Sequence, residues 1–176
     1  MSNLSGQHVN LRHLRAFAEV CRQGSISAAA EVVYLSQPAI TQAVARLEAA
    51  LQAPLFARNN RGMVPTGAGS LLAARALRSL NILRTGVQES ARRGGAGGGF
   101  EPSVTATQLR ALLAMAEHGN FSLAARALGI SQPSVYRVAR ELEKVSGMTL
   151  YARTLQGYDL TRPAVILARA ARLMFA

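Results

Sequence analysis

Residues 24–48 read GSISAAAEVVYLSQPAITQAVARLE, and residues 119–143 read GNFSLAARALGISQPSVYRVARELE. The two stretches align without a gap at an offset of 95 residues, and both contain the tripeptide Ser-Gln-Pro. Extended over residues 14–66, the alignment gives 17 identities in 53 positions. A repeat this long, present only twice, is typical of a duplicated domain rather than a solenoid. The sequence therefore predicts two copies of one small domain.

Composition sets the class of protein and of partner. A chain of 176 residues has room for two small domains, each with a modest core. The net charge is +11, and 19 of the 20 basic residues are arginine. Such a balance favours a polyanionic partner, with nucleic acid ahead of membrane, and a basic but inert surface is the alternative. The single cysteine excludes an internal disulfide framework.

No segment predicts targeting to a membrane. The N-terminus has no apolar core, so it is not a signal peptide. No apolar run approaches the roughly 18–20 residues that a membrane span requires. We therefore expect a cytoplasmic protein without a membrane partner.

Helical spacing of apolar residues dominates the first copy. Leu11, Leu14 and Phe17 begin one face of a first helix, for which Asn10 is the predicted N-cap and Gly24 the stop. Ser27 is the predicted N-cap of a second helix over residues 28–33, and Ser36 that of a third helix with Pro38 in its first turn. The spacing of apolar residues then changes, which predicts a hairpin of strands 55–58 and 63–66 around a turn at 60–62.

The second copy repeats this order. It predicts helices at residues 107–117, 123–128 and 132–145, followed by a hairpin at residues 150–160. The fold class is therefore mainly α, with two tandem winged helix-turn-helix domains joined by a long dimerisation-type helix. Each domain has three helices and a short β-hairpin wing. The predicted boundaries are 1–66 for the first winged helix, 67–93 for the long helix, 94–103 for a flexible Gly-rich linker, 104–161 for the second winged helix and 162–176 for the start of a second long helix.

The long helix carries a narrow apolar stripe. It consists of Leu72, Ala76, Leu80, Leu83 and Val87, and this spacing suits a partner helix. Alternatively, the stripe covers its own domain. Because the helix outreaches so small a domain, we favour a homo-oligomer, either a dimer or a larger assembly. The pattern is still helical and apolar at Ala176, which indicates a chain cut from something longer.

The third helix of each copy has the composition of a DNA-reading helix. In a winged helix this element enters the major groove, and the wing contacts the flanking backbone. Glutamine can pair with adenine, arginine with guanine, and threonine with a thymine methyl group. A merely solvated polar face is the alternative, but the wing arginines and the net charge favour double-stranded DNA. The outward residues are Gln37, Thr41, Gln42 and Ala45 in the first copy, and Gln132, Ser134, Tyr136, Arg137 and Arg140 in the second.

Several motifs of the first copy match a known family. They are Ala29-Ala30-Glu31, Ser36-Gln37-Pro38-Ala39-Ile40-Thr41, Leu47-Glu48, Leu55-Phe56-Ala57-Arg58 and Pro65-Thr66-Gly67-Ala68-Gly69. Over residues 11 to about 90, the chain resembles the N-terminal DNA-binding domain of bacterial LysR-type transcriptional regulators. The resemblance implies a winged helix whose long helix dimerises. It also implies DNA contacts by Ser36, bases approached by Gln37, Pro38, Thr41 and Gln42, and phosphates approached by Arg58 and Arg61.

The second copy resembles the family more loosely. It keeps Ser131-Gln132-Pro133-Ser134 and Arg153, so these residues are DNA-binding candidates together with Tyr136, Arg137 and Arg140. Gln156 stands where a wing arginine would be, and Arg162-Pro163-Ala164 replaces the usual start of the long helix. Two hypotheses therefore stay open. Either both copies read DNA, or one copy, with the second favoured, is a protein-interaction or dimerisation module.

Other classes of function find little support. Family members carry a C-terminal sensor domain for a small effector, which either lies beyond these residues or is dispensed with. We therefore expect no effector within this chain. The histidines at positions 8, 13 and 118 are scattered, and Asp159 is the only aspartate. We expect no catalytic residue, no metal and no cofactor.

Overall fold

A computed structural model describes residues 10–59, 62–96, 98–155 and 157–176. The chain divides into two compact units, unit 1 over Met1–Leu80 and unit 2 over Asn81–Ala176. The elements, in chain order, are α1 Leu11–Gln23, α2 Ile26–Val33, α3 Gln37–Leu51, β1 Phe56–Asn59, β2 Gly62–Pro65, α4 Gly67–Gly94, α5 Ala106–His118, α6 Phe121–Leu128, α7 Gln132–Ser146, β3 Tyr151–Thr154, β4 Gly157–Leu160 and α8 Arg162–Phe175.

The helices of unit 1 begin and end at capping residues. Asn10 accepts a hydrogen bond from the Arg12 N–H at 2.9 Å, and Gly24 ends α1 in the left-handed conformation, as predicted. The predicted cap of α2 is wrong, because the helix begins at Ile26 and not after Ser27. Ser25 is the extended residue, and its side chain accepts from the Ala28 N–H.

The wing of unit 1, formed by β1 and β2, is held by hydrogen bonds to α3 and to the start of α4. The Leu55 N–H donates to a Glu48 carboxylate oxygen at 2.8 Å, which fixes the start of β1 to α3. Thr66 donates to the Pro54 carbonyl at 2.7 Å and accepts from the Gly69 N–H at 3.0 Å. A Cβ on Gly69 would lie 2.0 Å from the Leu55 carbonyl oxygen, so only glycine fits there. These contacts give Thr66 and Gly69, two residues of the Pro65-Thr66-Gly67-Ala68-Gly69 motif, a structural role.

Each unit buries its own apolar core. In unit 1, Phe17 and Leu55 are fully buried, and the Phe17 ring packs on that of Phe56 at 5.4 Å. In unit 2 the largest fully buried side chains are Leu83, Leu109, Leu112, Met115, Leu142, Leu150 and Leu167.

Unit 2 has the predicted order of elements with small shifts in their bounds. Thr105 and Gln108 form a reciprocal capping box, so α5 begins at Ala106. Asn120 caps α6, which therefore begins at Phe121 and not at Leu123. Thr161 caps α8 and donates to the Thr149 carbonyl at 2.8 Å, which matches the contact of Thr66 in unit 1.

The second half of α4 packs on α8 within unit 2. A Cβ on Gly86 would lie 2.1 Å from the Cβ of Ala170, so the two helices approach closely at this point. Ser90 is fully buried and donates to the Pro163 carbonyl at 2.8 Å. Leu83 and Val87 are both fully buried.

The Gly-rich segment is more ordered than its composition predicts. Gly94 still belongs to α4, and Gly98–Ser103 form a 3₁₀ helix. Phe100 within it is buried, and this burial accounts for the order. Separately, none of the helices in the described ranges has the length and apolar content needed to cross a membrane.

Candidate nucleic-acid interface

Helix α3 of unit 1 separates an apolar face from a polar one. Ile40, Ala43 and Val44 are buried in the core of the unit. Five predicted DNA-binding residues are all exposed on the other side: Ser36, Gln37, Pro38, Thr41 and Gln42. The structure therefore brings these five together on one accessible surface.

The start of α3 is suited to an anion. The Ser36 side chain accepts from the Ala39 N–H at 3.4 Å, and Pro38 sits in the first turn. The N-terminus of a helix presents unpaired N–H groups and a positive dipole end, which attract phosphate. No acidic residue lies in this first turn to oppose such an anion.

Charge on α3 leaves its exposed face without an acid. The helix has one basic and one acidic residue, Arg46 and Glu48. Because a Glu48 carboxylate oxygen accepts the Leu55 N–H, this carboxylate is turned toward the wing. Polyanionic DNA would meet glutamine and threonine rather than a carboxylate.

The first wing is only partly described. Arg58 lies in β1 opposite Met63, and its backbone is fixed by the antiparallel ladder. The predicted phosphate contact of Arg58 depends on its side chain, which is not among the described parts of the structure. Arg61 also lies outside the described residues.

Helix α7 of unit 2 makes more internal contacts than α3. Gln132 accepts from the Ser122 hydroxyl at 2.9 Å, and the Ser131 and Ser134 hydroxyls lie 2.8 Å apart. Gln132 and Pro133 are exposed, as their aligned residues are in unit 1. Gln132 therefore has one neighbour to release before its amide oxygen could meet a base.

Both predicted arginine readers of α7 are engaged by acids on the same helix. Arg137 donates to Glu141 at 2.7 Å, and Arg140 donates to Glu143 at 2.6 Å. Arg140 also donates through Nε to the Tyr136 hydroxyl at 3.0 Å and lies over its ring. The hydrogen bond to Tyr136 and then that to Glu143 raise the pKa of Arg140, so it stays charged.

An aromatic cluster supports this face, and the sequence analysis did not identify it. The Phe121 ring contacts Tyr136 at 5.4 Å, Tyr151 at 5.7 Å and Tyr158 at 5.1 Å between centroids. The ring of Tyr136 packs against Phe121 in this cluster, while 39% of the Tyr136 surface stays exposed. The sequence could have indicated this cluster, because all four positions aligned with Ile26, Thr41, Phe56 and Met63 are aromatic in the second copy.

Glu143 links this helix to the second wing. One of its carboxylate oxygens accepts from the Leu150 and Tyr151 N–H groups, at 2.7 and 3.1 Å. Arg153 lies in β3 opposite Tyr158 and is exposed. The wing of unit 2 thus presents at least one arginine, while Gln156 lies outside the described residues.

The apolar stripe of α4 is unevenly exposed. Ala76, Leu83 and Val87 are buried, whereas Leu72 and Leu80 are half-buried. The exposed leucines on α4 are instead Leu71 and Leu77, at 57% and 51%. Burial of Leu83 and Val87 inside a single chain favours the alternative in which this part of the stripe covers its own unit.

Among residues 10–59, 62–96, 98–155 and 157–176, no group of three or more His, Cys, Asp or Glu side chains could hold a metal ion.

Comparison with known proteins bears on both units. A protein-family model described as a bacterial regulatory helix-turn-helix protein of the lysR family matches residues 11–70 and again 106–164. The regulator GalR of Pseudomonas putida is 37% identical over 152 residues, which are 86% of this chain and 38% of that protein. The regulator PcaQ of Agrobacterium fabrum is 38% identical over 92 residues, which are 50% of this chain and 30% of that protein.

Solved structures of the same family are also similar. The DNA-binding domain of CbnR, solved in complex with DNA, is 35% identical, with a TM-score of 0.43 over 48% of this chain and 99% of that one. This chain spans 38% and 30% of the lengths of GalR and PcaQ. Both of these relatives are transcriptional regulators by name.

Proposed function

Because the chain belongs to the LysR family of bacterial regulatory helix-turn-helix proteins, we propose that it is a transcriptional regulator that binds double-stranded DNA through two recognition helices, α3 and α7. The proposal includes a cytoplasmic location, where its DNA would lie. It includes no catalytic role and no cofactor.

The polar face of α3 carries the proposal. Five exposed residues of small or hydrogen-bonding character lie along it, and the one carboxylate of the helix is turned to the wing. A major groove admits one helix whose side chains donate to and accept from base edges. Gln37 and Gln42 are suited to adenine, and Thr41 to a thymine methyl group.

For α7 the same role requires a local rearrangement. Arg137 must leave Glu141 to reach a guanine, and Arg140 must likewise leave Glu143 if it is to contact a base. The Arg137–Glu141 pair is exposed, and such pairs within a helix are weak, at about 0.3–0.5 kcal/mol. A bidentate arginine–guanine contact is worth about 1–3 kcal/mol, so the exchange is favourable in the right sequence.

A second candidate function keeps DNA reading for unit 1 alone. The specific observation for it is the exposed carboxylate of Glu141, which would approach the DNA backbone if α7 entered a groove. Under this alternative, unit 2 binds a protein or another copy of the chain.

Two aligned positions separate these functions. Gln42 and Arg137 occupy the same place in the two copies, so Gln42→Ala and Arg137→Ala are matched variants. Affinity for a site selected by the full chain is measured by fluorescence anisotropy, with Arg169→Ala on α8 as a control for loss of one charge. If both units read DNA, both variants weaken the selected site more than random DNA, and the footprint covers two major-groove contacts.

The alternative makes a different prediction. With unit 1 reading alone, Arg137→Ala matches Arg169→Ala on every sequence, and the footprint shortens to one winged helix. If neither Gln42→Ala nor Arg137→Ala weakens the selected site more than random DNA, DNA reading by either unit is contradicted.

We also propose that the chain forms a homo-oligomer through the first half of α4. Support comes from the exposed Leu71 and Leu77, two large apolar side chains on one long helix. Sedimentation of Leu77→Glu tests it, since a charge there disfavours an apolar interface. An unchanged mass relative to the parent chain would count against association through Leu77.

A further inference from the structure

Unit 1 contains a cleft between its recognition helix and its wing. The cleft has a volume of about 180 Å³ and is lined by Ile26, Thr41, Val44, Ala45, Glu48, Phe56 and Met63. Five of these residues are apolar, and only Glu48 carries a charge. This surface has no part in the base contacts proposed above, apart from Thr41.

The aligned place in unit 2 is filled by the chain itself. Adding the 95-residue offset to the lining residues gives Phe121, Tyr136, Ala139, Arg140, Glu143, Tyr151 and Tyr158. These are the four rings of the aromatic cluster, together with the Arg140–Glu143 pair. In unit 2, therefore, a guanidinium and aromatic rings lie at the aligned place beside the shared glutamate.

Six of the seven aligned lining positions differ between the two copies, and only the glutamate is shared. Position 45 is alanine where unit 2 has Arg140, and position 41 is threonine where unit 2 has Tyr136. The glutamate is shared, and in both copies it accepts the N–H that opens the wing, from Leu55 or from Leu150. In unit 2 the other carboxylate oxygen binds a guanidinium at 2.6 Å.

We propose that the cleft of unit 1 binds a small organic cation, an amine or guanidine with an apolar body. The cation takes the place that the Arg140 guanidinium has in unit 2, on the outer oxygen of Glu48. Its apolar body lies against Phe56, Ile26 and Met63, where unit 2 places aromatic rings.

Size and charge limit the ligand. The cleft is smaller than the roughly 300–1,000 Å³ of sites for drug-sized ligands, so it suits a fragment-sized molecule. An alkyl or aryl group is needed, because a hydrated inorganic cation would leave the apolar walls facing water. Small ligands of this kind bind with dissociation constants in the millimolar range.

The experiment compares two ligands of the same shape. n-Butylguanidinium and the neutral n-butylurea are titrated separately into the full chain without DNA, and backbone amides are followed by NMR. The expected result is a saturable shift at Leu55, Ala45 and Met63 with n-butylguanidinium, and binding at least about tenfold weaker with n-butylurea. Because no DNA is present, the outcome does not depend on the proposed regulator function.

Three variants complete the test. Glu48→Gln keeps an acceptor for the Leu55 N–H but removes the charge, and it should reduce n-butylguanidinium binding to the level of n-butylurea. Ala45→Arg recreates the pair of unit 2 and should abolish binding. Glu31→Gln removes an exposed charge elsewhere in unit 1 and should leave binding unchanged.

The proposal is overturned by equal affinity for the two ligands in the parent chain. It is also overturned by shifts confined to unit 2. This comparison uses only the parent chain, so it decides the matter even if Ala45→Arg fails to fold.

Discussion

Replacing Gly86 by alanine should destabilise unit 2, although alanine is the better helix former. Gly86 lies inside α4, where Gly→Ala ordinarily gains about 1 kcal/mol. Here the new Cβ would lie 2.1 Å from the Cβ of Ala170, against the roughly 3.5–4.0 Å of an ordinary carbon contact. Neither atom can swing away, so the helices must separate. Overpacking of this kind costs about 1–3 kcal/mol, and we take the upper part of that range.

The net expectation is a loss of about 1–2 kcal/mol, or roughly 2–8 °C in Tm for a chain of this size. Urea unfolding followed by tyrosine fluorescence measures it in the right unit, because Tyr136, Tyr151 and Tyr158 lie there and only Tyr34 does not. Gly67→Ala on the same helix is the control, since a Cβ there meets nothing within 4 Å.

A compensating change isolates the contact. In Gly86→Ala/Ala170→Gly the nearest atom left to the new methyl group is the Cα of residue 170, at 3.6 Å. The helix propensities then cancel, so the double variant should return to within about 0.5 kcal/mol of the parent chain. A Gly86→Ala chain as stable as the parent, or more stable, would refute the close approach of α4 and α8.

Four further outcomes are expected. Affinity for duplex DNA should fall steeply with salt, by about 0.9 in the slope of log K against log salt for each phosphate contact, and a flat anisotropy titration would contradict binding to the backbone. Gln37→Ala should cost about 1–3 kcal/mol on the selected site and little on random DNA, which competition binding measures; an equal loss on both would place Gln37 away from the bases. Leu83→Glu should unfold unit 2 in a thermal melt because it buries a charge, whereas Leu77→Glu should change only the sedimenting mass. Glu143→Ala should loosen the second wing, seen as faster amide exchange at Leu150 and Tyr151, while Glu141→Ala should leave these amides protected.

The order of elements could be predicted from the sequence because its signals are local. Asn10 and Gly24 end α1 as their capping propensities require, and the apolar spacing of α3 places Ile40 and Val44 inside. Errors occur where two capping residues compete. At Ser25 and Ser27 the sequence offers two hydroxyls, and the extended backbone at Ser25 decides between them.

The partner of the long helix α4 could not be predicted from the sequence, because the two are far apart along the chain. The stripe of Leu83 and Val87 predicts a helical neighbour, but the pattern does not say whether that neighbour is another chain. The structure supplies α8 of the same unit, through contacts 73 and more residues away, such as Ser90 with Pro163. Only Gly86 hints at so close a neighbour in the sequence, and glycine also occurs inside helices at kinks, where no second helix is needed.

Helices α3 and α7 differ most in how their charges are used. Helix α3 has one basic and one acidic residue, whereas α7 has three basic residues, Arg137, Arg140 and Lys144, and two acidic ones. Two of the three basic residues of α7 are therefore paired with acids on the same helix. Helix α7 still has more basic than acidic residues, whereas α3 has equal numbers. The exposed Arg137–Glu141 pair holds with about 0.3–0.5 kcal/mol, too little to withhold the arginine from a guanine. What the pair does change is selectivity, because a sequence without guanine at that place gives Arg137 no reason to leave Glu141. Under the proposed function, the second unit would add little affinity on random DNA and contribute chiefly at its own site, so footprint length should depend on sequence more strongly for unit 2 than for unit 1.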